Sequence, residues 1–113
     1  MLIIKNYKKL EGYAHNYKDF RIGEIIETEN EYHFRVGYNG VPYTIKIFRE
    51  STPNNEYEVV LRDGSDVTQF GRSWITKENM DMNKIIRKFE SLIKFYRPLA
   101  QQTMGNTNFN TPF

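Results

Sequence analysis

The chain has 113 residues, 39% of them hydrophobic and 15% aromatic, and its formal net charge at pH 7 is +2. This length suits one domain with a single modest core, and the near-neutral charge argues against a protein whose whole surface attracts nucleic acid, without excluding a local basic patch. The absence of cysteine excludes disulfides and cysteine-based metal sites and fits a reducing compartment. The apolar run at residues 2–4 is too short for a signal peptide or a membrane span, so we expect a cytoplasmic protein that does not enter membranes.

The first 20 residues show no clear hydrophobic periodicity, so the sequence does not predict one secondary structure for them. Residues 2–4 could form a short strand, while Tyr7, Leu10 and Tyr13 fit the start of a helical stripe that Gly12 would interrupt. Lysines alternate with tyrosines in this segment. That pattern suits a surface for single-stranded nucleic acid, and it equally suits a segment whose rings pack on the domain while its lysines stay in water.

Residues 21–28 are predicted to form the first strand, with Glu29-Asn30 as the turn after it. A two-residue loop would place Ile25 on the apolar face of the sheet, whereas a three-residue loop would select Ile22 and Ile26. The sequence leaves both registers open.

Residues 32–48 carry the clearest local pattern, two alternating runs on either side of Asn39-Gly40. This dipeptide tolerates positive φ at both central positions of a type I′ turn, so it predicts a tight hairpin with a fixed register. In that register eight apolar side chains share one face of the ribbon: Tyr32, Phe34, Val36, Tyr38, Val41, Tyr43, Ile45 and Ile47. The opposite face is mixed and mildly basic, so another element must cover the apolar side.

Two more strands and one helix are predicted after the hairpin. Residues 57–61 alternate, and residues 67–75 supply a fifth strand that is broken or bulged at Gly71. From Met80 the apolar spacing becomes helical, which predicts a helix near 80–97 that ends at Pro98. Its alternative N-caps are Thr76, Asn79 and Asp81.

The predicted fold is therefore an α+β domain over residues 1–100, a four- or five-stranded antiparallel β-meander covered on one face by a single C-terminal α-helix. Residues 101–113 carry no charge and no period, and we expect a flexible polar tail there.

Catalytic signals are weak. His15 and His33 are the only histidines, and the serines lie in no nucleophile motif. The glycines form no nucleotide-binding pattern, and Asp63 and Asp66 flank a glycine as ordinary turn residues do. We expect no enzymatic activity, no metal and no cofactor.

Cations concentrate on the exposed helix face and on the outer sheet face, where an aromatic ring accompanies them. These ingredients favour a non-catalytic protein that binds single-stranded DNA or RNA. The predicted nucleic-acid-binding residues are Arg35, Lys46, Phe48, Lys84, Arg87, Lys88, Lys94 and Arg97. Lysine and arginine are also good helix formers that complement the helix dipole and keep a protein in solution, which is the competing interpretation.

The alternative function is a small protein-binding module or inhibitor, of the kind that mobile elements or phages encode. Aromatic residues and arginine dominate the energetics of protein interfaces. The rings without a predicted place in the core are Tyr13, Tyr17, Phe70 and Trp74, which we assign to a protein partner. A homodimer is a further option.

The run Tyr57–Asp63, a loop, Gly71–Glu78 and then a helix resembles the positive-cofactor-four family of single-stranded-DNA-binding coactivators. The resemblance implies a curved meander with one helix, through which such proteins often dimerise. It covers about a third of the chain and rests on the order of elements, so no binding residue is carried over.

Overall fold

The computed structural model describes the backbone of residues 1–15 and 19–110 and the side chains within 1–15 and 19–97. Within these ranges one antiparallel sheet has six strands in chain order: β1 (Ala14–His15), β2 (Phe20–Glu27), β3 (Glu31–Tyr38), β4 (Val41–Phe48), β5 (Glu56–Asp63) and β6 (Gln69–Thr76). One α-helix follows, α1 (Met82–Asn110), and 3₁₀ turns lie at Tyr7–Leu10 and Lys77–Asn79. The predicted α+β meander is confirmed. The strand count exceeds the predicted four or five because the N-terminal segment adds the short β1.

The hairpin of β3 and β4 has the predicted register. Asn39 and Gly40 have φ angles of 51° and 78°, the left-handed values that a type I′ turn requires. Phe34 therefore lies opposite Ile45, and the other predicted pairs match as well. All eight side chains of the apolar face belong to the core or pack against it.

β2 combines the two registers that the sequence left open. The Thr28 N–H donates to the Glu31 carbonyl at 2.9 Å and closes a two-residue loop, which places Ile25 in the core. A β-bulge between Ile22 and Ile25 then shifts the register, so Ile22 is buried as well. Ile26 points the other way and is 42% exposed, so the alternative that places Ile22 and Ile26 together on the apolar face does not hold.

The helix α1 covers the apolar face of the sheet. The Phe89 ring meets the Phe34 ring edge-on, with 4.8 Å between their centroids. Asp81 is the N-cap among the three predicted alternatives, since its carboxylate accepts the Lys84 N–H at 3.1 Å. The apolar stripe of the helix is buried at Ile85, Ile86, Phe89, Leu92 and Ile93.

Both edges of the sheet reach the helix α1. On the β1 side, His15 Nδ1 lies 3.0 Å from Glu90 Oε2. On the β6 side, Lys88 Nζ donates to Ser73 Oγ at 3.1 Å. These two contacts come from opposite flanks of the helix and fix its position across the sheet.

The N-terminal segment packs onto one end of the sheet without forming a strand at residues 2–4. Leu2, Ile4 and Leu10 are buried. The Arg49 guanidinium donates to the Leu2 carbonyl at 3.0 Å and lies 5.1 Å from the centroid of the Tyr32 ring. The Tyr32 hydroxyl in turn accepts the Ile4 N–H at 3.1 Å, so the segment is tied to the sheet at several points.

The helix continues through Pro98 to Asn110, so the prediction that it ends at Pro98 is wrong. A proline removes one N–H donor and strains the preceding turn, but it does not prevent the flanking residues from being helical. The predicted tail thus begins inside α1, and residues 111–113 lie outside the described residues. The flexibility of the tail and the domain boundary at residue 100 stay predictions.

Phe34→Ala should lower the free energy of unfolding by about 3–5 kcal/mol, because it removes a buried ring from beneath α1 and leaves a cavity. Urea unfolding followed by circular dichroism measures the change. Phe95→Ala is the matched control: Phe95 is 77% exposed, and the same deletion there should cost no more than about 0.5 kcal/mol. An equal decrease in the free energy of unfolding for Phe34→Ala and Phe95→Ala would contradict the position of the helix on the sheet.

Glu11 should make the fold sensitive to acid. Its carboxylate accepts the Ile25 N–H at the bulge at 2.8 Å and a second hydrogen bond from Lys8 at 3.2 Å, and these bonds hold the pKa of Glu11 below its ordinary value of 4.5. A group whose pKa falls on folding stabilises the fold above its unfolded pKa, and that contribution is lost as the pH falls through the folded pKa.

We therefore expect Glu11→Gln to lower the melting temperature at neutral pH. The difference between the variant and the wild type should shrink below pH 4.5 and then disappear, because the wild-type carboxyl is then neutral as well. Thermal melts across the acid range test this, and a difference that stays constant would refute the role of the Glu11 charge.

Candidate functional site

β6 is a long open edge of the sheet, because in the described part of the chain it pairs with β5 alone. The Tyr96 hydroxyl donates to the Arg72 carbonyl at 3.5 Å, so the backbone of Arg72 faces away from β5. Every second residue of an antiparallel strand repeats that direction, and the backbone of Trp74 therefore faces outward too. An exposed edge of this length can receive an extended ligand.

A groove separates this edge from the side of α1. It consists of two adjoining depressions that share Ser91. We call it the β6–α1 groove, and its polar and aromatic lining comprises Arg72, Ser73, Trp74, Thr76, Asn79, Lys84, Arg87, Lys88, Ser91, Phe95 and Tyr96.

Three of the predicted cations, Lys84, Arg87 and Lys88, meet in this groove. The Lys84 ammonium lies 3.8 Å from the Asp81 carboxylate, and its side chain is 49% exposed. Lys88 donates to the Ser73 hydroxyl, and among the described residues neither Arg87 nor Lys88 forms an ion pair with a carboxylate. These two charges are therefore available to an anionic ligand.

An exposed aromatic residue stands at each end of the groove, but Ser73 turns to Lys88 on α1, so the ring of its neighbour Trp74 projects from the opposite face of the sheet. Trp74 is 41% exposed, and the Arg72 guanidinium lies 4.9 Å from the centroid of its ring. The Glu58 carboxylate holds that guanidinium at 2.7 Å. At the other end, Phe95 is 77% exposed and contacts the Tyr96 ring edge-on.

The other cations predicted on the helix lie elsewhere. Arg97 is on the opposite flank, where its guanidinium lies 5.3 Å from the centroid of the Tyr38 ring. Lys94 is exposed but does not line the groove. Glu90 turns toward His15 and away from the groove, which leaves the groove side of the helix without that negative charge.

Lys46 is not available for binding, which corrects its assignment to an exposed outer face. It does project from that face opposite His33, as predicted, but it is only 8% exposed. Its ammonium lies 2.9 Å from an Asp66 oxygen and 3.8 Å from a Glu31 oxygen. The same Glu31 carboxylate also contacts His33 at 2.7 Å, so Lys46 is one member of a structural charge network.

The turn between β5 and β6 brings Asp66 to this network. The Asp63 carboxylate holds the turn in shape by accepting the N–H groups of Val67 and Thr68 at 2.8 and 3.3 Å. Burial alone would raise the pKa of Asp63, but these hydrogen bonds outweigh it and the pKa is lowered. Asp66 has a φ of 61° within the turn.

The remaining outer-face residues are separated from the groove. Arg35 is exposed and lies 3.7 Å from the Glu24 carboxylate, and Phe48 is half-buried. The two predicted patches, one on the helix and one on the sheet, therefore do not join into one surface.

The rings assigned to a protein partner differ in exposure. Phe70 is buried in the core, so it cannot contact a partner. Tyr13 is half-buried and packs edge-on against Phe20 with 6.2 Å between centroids. Tyr17 lies outside the described residues. Of the three that the structure describes, Trp74 alone is exposed; it lines the groove at the strand edge, and its ring projects from the outer face of the sheet.

A second depression lies at the hairpin end of the sheet, where Arg21, Val36 and Pro42 contribute to its wall. Its charged lining residues are Arg21 and Asp19, one of each sign, so it offers no excess of either charge. It carries no functional assignment.

The described residues contain no group of three or more His, Cys, Asp or Glu side chains close enough together to hold a metal ion. None of the helices in the described ranges has the combined length and apolar character that a membrane span needs. The expected absence of a cofactor stays a prediction.

Comparisons with protein-family models, with curated proteins and with solved structures found no match to this chain. The resemblance to the positive-cofactor-four family accordingly carries no part of the argument below.

Sequence reasoning missed several groove residues, among them Arg72 and Phe95. Phe95 lies outside the apolar stripe of the helix, and a large ring on the polar side of an amphipathic helix is a signal that could have identified it. Arg72 gave no such signal, since its position beside Trp74 depends on the strand that carries both.

Lys46→Met should lower the free energy of unfolding by about 1–3 kcal/mol, because the Asp66 and Glu31 carboxylates lose their buried donor while the apolar stem is preserved. Arg35→Met is the matched control on the same face and should change it by no more than about 0.5 kcal/mol, since Arg35 is exposed. Chemical denaturation compares the two. A Lys46 variant as stable as the Arg35 variant would contradict the structural role of Lys46.

Proposed function

We propose that the protein is a non-catalytic binding protein that takes up single-stranded nucleic acid in the β6–α1 groove. The observation that carries the proposal is the meeting of Arg87 and Lys88, two cations without a carboxylate partner among the described residues, with the exposed ring of Phe95 in one groove. Cations for phosphates and a ring for bases are the combination that such sites use. The absence of cysteine supports action in the cytoplasm.

A single strand suits this groove better than a duplex. The bases of a single strand are free to stack on aromatic side chains, whereas those of a duplex are stacked on one another. Duplex binders also rely on many phosphate contacts, and a formal net charge of +2 gives little general attraction beyond the groove. Ser91, Asn79 and Thr76 add hydrogen-bonding groups to the same groove.

Replacing Lys84, Arg87 and Lys88 together by Ala should weaken the binding of single-stranded DNA or RNA and reduce its salt dependence. Each phosphate contact contributes a slope of about −0.7 to the plot of log affinity against log salt for a single strand, so the triple variant should lose a slope of roughly 2. Fluorescence anisotropy of a labelled oligonucleotide, measured at several salt concentrations, gives both values.

The matched control replaces Lys5, Lys9 and Lys94 by Ala. These lysines are exposed and lie outside the groove, so this variant loses the same charge but should retain most of the binding. Equal losses in the two triple variants would contradict the groove as the site. A flat titration of the wild type with both single-stranded DNA and RNA at low salt would contradict the proposed function itself.

A protein partner is the second candidate, and the open edge of β6 favours it. An extended segment could pair with the outward-facing backbone of Arg72 and Trp74, as in β-strand addition. A binding module or inhibitor of the type encoded by mobile elements or phages would work this way, and a homodimer could form through the same edge. This candidate predicts a complex that survives nuclease treatment and no salt-dependent binding of oligonucleotides.

A further inference from the structure

We infer that two copies of this chain pair along β6, antiparallel and about a two-fold axis at Ser73, so that their two sheets join into one. The occupant of the open edge is thus a second copy of the chain. The inference goes beyond the proposed function, because the pairing uses the backbone of β6 and requires no nucleic acid. We call this pairing the β6 dimer contact.

The two edges of the sheet are built differently. β1 has two residues, too few to template another strand, whereas β6 has eight. Long free edges are usually protected by lysine, proline or a central bulge, and β6 contains neither lysine nor proline. Its bulge lies near its start, so the pairing with β5 is unbroken from Gly71 to Thr76. The edge therefore lacks the features that keep a free strand from pairing, which indicates that another strand covers it.

The backbone of β6 limits the registers in which two copies can pair. Arg72 and Trp74 present their N–H and C=O groups away from β5, and such residues must lie opposite each other in a new antiparallel pair. A two-fold axis at Ser73 pairs residues 71–75 of the unbroken run, and an axis at Trp74 pairs residues 72–76. An axis at Arg72 pairs only residues 71–73 and sets two like charges opposite each other, which is unfavourable.

The side chains favour the axis at Ser73. In that register Arg72 of each copy lies opposite Trp74 of the other, and both project from the outer face of the joined sheet. The indole is 41% exposed, and within one copy the Arg72 guanidinium already lies 4.9 Å from its centroid. The pairing adds a second guanidinium beside each indole, and the symmetry makes this cation–π contact twice. The axis at Trp74 would instead set Arg72 opposite Thr76.

Single cysteine variants test the register, because the chain has no cysteine of its own. Ser73→Cys places two cysteines at the axis with their Cα atoms about 4.5 Å apart, which permits a disulfide. With the axis at Trp74 the same Cα atoms would lie roughly 8 Å apart, which is too far. We expect Ser73→Cys to give a disulfide-linked dimer after mild oxidation, seen by non-reducing electrophoresis.

Two further cysteine variants are the controls for this cross-link. Ser51→Cys lies in an exposed loop and should stay monomeric, which measures the cross-linking that arises from random collision. Trp74→Cys should also stay monomeric, because the two cysteines are then offset by two residues along the strands. Cross-linking of Trp74→Cys but not of Ser73→Cys would overturn the axis at Ser73.

Sedimentation measures the same contact without a cross-link. At high protein concentration and without nucleic acid, we expect the wild type to approach twice the chain mass of 13.5 kDa. Trp74→Lys sets a lysine opposite Arg72 twice in the dimer, so it should raise the dissociation constant at least about tenfold. Val67→Lys is the matched control: Val67 is 75% exposed in the turn before β6, and this variant should dimerise as the wild type does. Circular dichroism checks that both variants fold.

Three results would overturn the β6 dimer contact. The first is a wild type that stays monomeric at every concentration measured. The second is equal cross-linking of Ser73→Cys and Ser51→Cys. The third is equal dimerisation of Trp74→Lys and Val67→Lys, which would place the contact elsewhere on the molecule. Since every measurement is made without nucleic acid, none of these results decides the proposed function.

Discussion

The positive φ angles of Asn39 and Gly40 are the constraint on which the rest of the structure depends. A two-residue loop leaves no freedom in the pairing of β3 with β4, and a slip of one residue would turn the whole apolar face toward water. With that face fixed, α1 must cross it, and Phe89 packs on Phe34. The neighbouring strands widen the sheet until its edges meet the flanks of the helix. The β6–α1 groove lies where the last strand reaches that flank.

Much of this fold could be predicted from the sequence because the residue patterns that predict it lie within single short segments of the chain. The hairpin register follows from a dipeptide, and the helix stripe follows from spacing along one segment. The bulge in β2 could not be predicted, since it depends on distant partners: it buries Ile22 together with Ile25, and the Ile25 N–H bonds to Glu11 in the N-terminal segment. The helical conformation beyond Pro98 was missed for another reason. A proline lowers the stability of a helix without setting its end.

The candidate site could be predicted only in part, because the alternation of apolar and polar residues along a strand does not show how far each side chain is exposed. Lys84, Arg87 and Lys88 share a helix surface that spacing alone identifies. Lys46 was predicted correctly to lie on the outer face. Its burial, however, depends on Asp66, which belongs to the turn between β5 and β6 and therefore cannot be inferred from the residue pattern of β4. The groove joins β6 to α1 and so combines residues far apart in the chain. Only their packing shows that Ser73 contacts Lys88 and that Arg97 lies elsewhere, beside Tyr38.

A nearly neutral chain can still present a positive site, because salt screens the field of distant charges and a ligand interacts mainly with the charges close to it. At an ionic strength near 0.1 M the screening length is about 10 Å, which is close to the diameter of a helix with its side chains. Glu90, the only acidic residue within α1, lies on the β1 flank, so a ligand in the groove is partly shielded from it. Arg72 is neutralised by Glu58, whose carboxylate lies 2.7 Å from its guanidinium. Few unpaired cations then remain, so electrostatic attraction alone would give weak and unselective binding. The proposed function therefore needs a stacking surface beside these cations, and the exposed ring of Phe95 in the same groove is the one it assigns to the bases.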